Sequence, residues 1–121
     1  MDLETILNGL EVAITITDRD GNFIFVNDKS GEINAKGHPQ SLMGKQVREC
    51  HNERSKAIIE QLFKGAKNVY TITKKGQRKL IYQTPWRING EVMGLVELSM
   101  VIPDSMPHYN RDAPNPPSSN N

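Results

Sequence analysis

Apolar positions change their period along the chain, and each change marks an element. Leu3, Ile6, Leu7 and Leu10 stand at i, i+3, i+4 and i+7, which predicts a short amphipathic helix over residues 2–10, with Gly9 near its end. A helix this short needs a packing partner, so the stripe reads either as a face laid on its own domain or as a dimerisation or relay surface. The period then falls to two. Val12, Ile14 and Ile16 alternate with Ala13, Thr15 and Thr17, a strand rich in β-branched residues. Asp18-Arg19-Asp20-Gly21-Asn22 carries turn chemistry, and Phe23-Ile24-Phe25-Val26 is the return strand. Residues 27–51 are broken by Gly31, Gly37, Pro39 and Gly44, which predicts short helical turns joined by loops. From Asn52 to Lys64 the helical period returns, with Asn52 as N-cap, Gly65 at the C′ position and a stripe of Ile58, Ile59, Leu62 and Phe63. Residues 68–73, 78–88 and 91–102 read as three strands, joined by turns at Lys74–Gln77 and Asn89-Gly90. Pro85 implies a bulge or an unpaired amide in the second of these.

Hairpins at both ends with helices between them predict an α+β fold, one antiparallel sheet with a face covered by the central helices. At 121 residues the chain is one domain. Residues 104–121 hold four prolines and little that fills a core, so they read as a disordered tail beyond a domain at 3–103. Lys+Arg number 15 against Asp+Glu 14, a balance that argues against a nucleic-acid binder and a polybasic membrane tether. The apolar run Val92–Ile102 is too short to span a bilayer and contains Glu97 and Ser99. Met1-Asp2-Leu3-Glu4 has no basic region of the kind that opens a signal peptide. The single cysteine, Cys50, forms no internal disulfide, which fits a reducing compartment and a cytoplasmic location.

Cys50-His51 is the one reactive pair. It reads as a small thiol and a polar residue beside a helix cap, as a thiol sensor, or, through His51, as a haem ligand. A structural zinc site is not expected, because His38, Cys50, His51 and His108 lack ligand spacing. Tyr70, Tyr82 and Trp86 lie on predicted strands, as core or as a stacking surface for a planar ligand. Met43, Met93 and Met100 suit either gap filling or an adaptable pocket. Gly94 inside a strand signals a bulge or a close approach of backbone or ligand. Lys74-Lys75 with Arg78-Lys79 reads as a solvated hairpin tip, and Asp18, Asp20, Asp28 and Glu32 lack the spacing of a calcium loop. The carboxylates cluster at turns and helix ends, so catalysis is not expected.

Three pieces in order resemble a PAS domain over most of residues 3–103. They are the hairpin Ile16–Val26 with Asn27 after it, the step Leu42-Met43-Gly44-Lys45, and the closing run Asn89–Glu97. Cys50-His51-Asn52-x-x-Ser55 resembles a Cys-His-Pro-x-x-Ser run of some bacterial PAS domains, with Asn52 where that run has Pro. The resemblance implies a five-stranded antiparallel sheet closed by helices and a role in signal sensing, with a small ligand between sheet and helices and a homodimer or a partner signalling protein as the relay. Cys50 adds a redox signal as an option, and charge and hydropathy leave neither nucleic acid nor membrane as an expected partner. Cys50, His51, Met43, Tyr82, Trp86, Gly94 and Asn27 are then the ligand or cofactor candidates, and Leu3, Ile6, Leu7 and Leu10 the dimerisation candidates. No metal is assigned beyond haem iron at His51. The flavin-adduct sensors of the family carry a Gly-x-Asn-Cys-Arg-Phe-Leu-Gln run, from which Gly44–His51 departs at most positions, so a flavin adduct is not expected. A ligand-free interaction and dimerisation module is the alternative reading.

Overall fold

A computed structural model of the chain describes residues 1–50 and 52–112, with Cys50 described in its backbone only. The elements run α1 (Leu3–Asn8), β1 (Ala13–Thr17), β2 (Phe23–Val26), α2 (Asp28–Asn34), α3 (Glu53–Phe63), β3 (Asn68–Lys74), β4 (Gln77–Ile88) and β5 (Glu91–Ile102). Two 3-10 turns, Pro39–Ser41 and Val47–Cys50, join α2 to α3. The five strands form one antiparallel sheet in the order β2-β1-β5-β4-β3, so the N- and C-terminal hairpins meet where β1 pairs with β5.

Local chemistry explains the boundaries. Asp2 caps α1 by accepting from the Thr5 amide at 2.9 Å, Asn27 caps α2 and Asn52 caps α3. The β1–β2 turn closes on Asp18, whose Oδ1 accepts from the Asp20 and Asn22 amides at 3.0 and 2.9 Å. Those donors hold the Asp18 carboxyl below the ordinary range, the Asn22 amide being the first cause. Asn89 and Gly90 both have positive φ (50° and 83°), the geometry of a tight two-residue hairpin.

The ladder between β4 and β5 slips once. Trp86 pairs with Gly94 but Arg87 pairs with Val92, leaving Met93 as the extra residue of a bulge. The irregularity therefore lies on β5, while Pro85 keeps its place opposite Leu95. Pro85 stands beyond the last β3 pair, Asn68–Gln83, where no strand on that side asks for an amide donor.

The core lies between one face of the sheet and the helices. Phe23, Val26, Val47, Ile59, Leu62 and Leu95 are buried together, with Leu42, Ile58 and Phe63 packed against them. Each such side chain contributes roughly 1.5–3 kcal/mol on burial. The face of α3 that carries Ile59 and Leu62 supplies the cover, as its apolar spacing predicts. On the opposite face alternation places Ile14, Ile16, Leu80, Tyr82, Val96, Leu98 and Met100, of which only Ile14 is buried.

Candidate functional site

Between the sheet and the helices lies a cavity of about 250 Å³. Its apolar wall is built from Phe23, Leu42, Val47, Ile59, Leu62 and Leu95, and its polar wall from Thr15, Thr17, Asn34, Gln83 and Glu97. The volume lies just below the usual range for ligand sites, roughly 300–1,000 Å³. It suits a molecule of one or two rings, since a cavity of about 150 Å³ already holds benzene, and it is well short of a porphyrin. A second hollow of about 190 Å³ adjoins it, sharing Asn34 and Glu97 and continuing to Tyr70, Ile72, Lys74 and Lys79.

The polar wall is ordered by hydrogen bonds that cross the strands. Asn68 Nδ2 donates to Gln83 Oε1 at 2.8 Å, and Gln83 Nε2 donates to Glu97 Oε2 at 2.7 Å. This chain follows the register, because Asn68 pairs with Gln83 and Gln83 with Glu97. The Thr15 and Ser30 hydroxyls lie 2.6 Å apart, and Asn34 Nδ2 donates to Ser30 Oγ at 3.2 Å. Thr17 Oγ1 accepts from the Leu95 amide at 3.0 Å. Partial burial pushes the Tyr70 phenol up, and the charge of Glu97 adds to the effect.

The residues singled out from the sequence fall in different places. Asn27 is fully buried and spends all four of its hydrogen-bonding positions on backbone. Its Oδ1 accepts from the Ile14 and Ser30 amides at 2.8 and 3.0 Å, and its Nδ2 donates to the Leu7 and Val12 carbonyls at 2.9 and 2.8 Å. It clasps the end of α1, the start of β1 and the first turn of α2, and keeps no group free for a ligand. Trp86 lies on the sheet face away from the cavity, where its Nε1 donates to the Thr17 carbonyl at 2.9 Å. Gly94 is opposite Trp86, and a Cβ there would run into the Thr17 carbonyl oxygen and Trp86 Nε1. The close approach at Gly94 is thus to backbone and indole. Tyr82 shares the face of Trp86, and Met43 is exposed in the loop before Lys45. Leu3, Ile6 and Leu10 are exposed on and just after α1, and Leu7 is half-buried. His51 and the side chain of Cys50 lie outside the described residues.

Sequence reasoning missed the polar wall. Its signal was Glu97, a carboxylate in an apolar strand, together with Gln83 at its paired position. Among the described residues there is no cluster of three or more His, Cys, Asp or Glu able to hold a metal. None of the described helices is long and apolar enough to cross a membrane.

A family model described as the PAS fold matches residues 7–104. No curated protein matches the chain. Among solved structures, a C-terminal domain from Streptococcus mutans is 20% identical with a TM-score of 0.65, covering 81% of each chain. The PAS domain of the histidine kinase ThkA is 18% identical with a TM-score of 0.60, over 75% of this chain and 99% of that one. A sensory box sensor histidine kinase from Vibrio cholerae is 14% identical with a TM-score of 0.57, over 84% of this chain and 90% of that one. At these identities the likeness carries the fold.

Proposed function

Because the chain belongs to the PAS fold family, a family of sensing and interaction modules, we propose that it binds a small molecule between sheet and helices and passes the occupancy on through protein contacts. The observation that carries this reading is the cavity of about 250 Å³, which joins an apolar wall to convergent polar groups. Occupancy would favour one packing of α2 and α3 over another, and a contact surface would read the difference. The exposed stripe Leu3, Ile6 and Leu10, with the half-buried Leu7, is the proposed surface for a second copy or a partner. Its link to the cavity side is Asn27, which ties Leu7 to the first turn of α2, the helix that brings Asn34 to the cavity.

Cys50 and His51 remain candidates for a redox or ligand response, on the segment that leads into α3. A ligand-free interaction module is the competing reading.

Native mass spectrometry of the protein incubated with a library of one- and two-ring compounds separates the two readings. The proposal expects bound adducts that Leu62→Trp, which fills the cavity, suppresses. A library without a single binder, with the chain folded and self-associating, overturns it in favour of the interaction module.

A further inference from the structure

Among the described residues the carboxylate of Glu97 is the one acid of the cavity lining, and one of its oxygens makes no hydrogen bond. Its Oε2 accepts from Gln83, and that is its only hydrogen bond among the described residues. No described cation lies within ion-pair distance of it: Lys74 and Lys79 share the adjoining hollow but form no salt bridge with it. Among the described residues no buried polar side-chain atom lacks a partner, so the unpaired Oε1 is accessible rather than sealed in the protein. Glu97 lines both compartments of the cavity.

We infer that Glu97 selects the ligand: the cavity takes a small molecule with an apolar body and an amine or amidine head, the head donating to Glu97. The inference rests on the ligand-binding reading of the same cavity. The chemistry follows from what the walls lack and offer. A neutral head gives Glu97 at most an uncharged hydrogen bond, and an anionic head sets a second negative charge against it. A cationic head supplies both charge and hydrogen, and such charge-assisted bonds are the stronger kind. Gln83 holds the carboxylate in place from one side, itself held by Asn68, so the acceptor is positioned before a ligand arrives. The apolar residues Phe23, Leu62 and Leu95 face the same space and receive the body of the ligand.

A matched pair of probes tests this. Phenethylamine and 2-phenylethanol share a ring and chain and differ in the head. Affinities are measured by calorimetry, and the site by amide shifts, for the native chain and for Glu97→Gln, which keeps size and an acceptor for Gln83. The expected result is phenethylamine binding about fivefold or more tighter than the alcohol in the native chain, with the preference lost in E97Q. An unchanged thermal midpoint for E97Q shows that the fold is intact. If both probes bind at the cavity equally well, or the preference survives in E97Q, the role of Glu97 is overturned while the ligand-binding reading stands. If neither probe shifts a cavity-lining amide at millimolar concentration, and no compound of the library binds, both fall together.

Discussion

Replacing Asn27 by alanine removes a clasp, and its cost follows from the bonds. The side chain caps α2 through the Ser30 amide, a contribution of about 1 kcal/mol. It also makes three bonds to the Ile14 amide and the Leu7 and Val12 carbonyls, each worth roughly 1 kcal/mol net. The residue is 0% exposed, so the groups left behind are not all rehydrated. The expected loss is about 3–4 kcal/mol, a large share of the stability of a domain this size. In a thermal melt it appears as a drop of roughly 15–30 °C. Asn27→Asp splits the effect. The carboxylate still accepts from Ile14 and Ser30, but it faces the Leu7 and Val12 carbonyls with oxygen where an amide donated. Amide exchange followed by mass spectrometry then shows α1 opening while α2 stays protected. A loss below about 1 kcal/mol for Asn27→Ala, by urea titration, would refute the clasp.

Other outcomes follow from the same contacts. Gly94→Ala drives a Cβ against the Thr17 carbonyl and costs about 1–3 kcal/mol in urea titration, and Trp86→Phe does not rescue it, because the obstacle is backbone. Trp86→Phe alone removes the indole bond to Thr17 and costs about 1 kcal/mol in the same assay. The carboxyls of Asp18 and Glu60 are held below the ordinary range, Asp18 first by the Asn22 amide and Glu60 first by its bond to Arg48. Their contributions are therefore present above that range and lost as pH falls through the lowered values. Asp18→Asn with Glu60→Gln should flatten the acid limb of stability against pH, measured by chemical denaturation, and a limb of unchanged slope would contradict this.

Most of the fold is legible from the chain because its punctuation is strong. The Asp18–Asn22 turn, the Asn52 cap and the Asn89-Gly90 turn bracket elements whose periods are clear. The alternation predicts β5 over residues 91–102, and it runs Glu91–Ile102. The predicted N-terminal helix over 2–10 is shorter, Leu3–Asn8, because Asp2 is its cap and Gly9 closes it. The cavity wall was not legible, and the bulge at Met93 explains why. Counting the β4–β5 ladder outward from its turn without a slip sets Glu97 across from Tyr82. The extra residue moves it opposite Gln83 and fixes which face each side chain takes. Apolar residues on both faces of β5, Leu95 on one and Val96 and Leu98 on the other, hide the slip from any reading of hydrophobicity. Asn27 stands out in the sequence by its place after the hairpin, yet its four partners lie at sequence separations of 3 to 20, which no local pattern reports.

The central claim is that the space between sheet and helices is a small-molecule site. A fragment titration of the isotope-labelled chain, followed amide by amide, tests it most directly. The account predicts saturable shifts centred on Thr15, Thr17, Gln83, Leu95 and Glu97, with weaker changes reaching Asn27 and α1. Shifts confined to the opposite sheet face around Tyr82 and Trp86, or no saturable shift from any fragment, would contradict it.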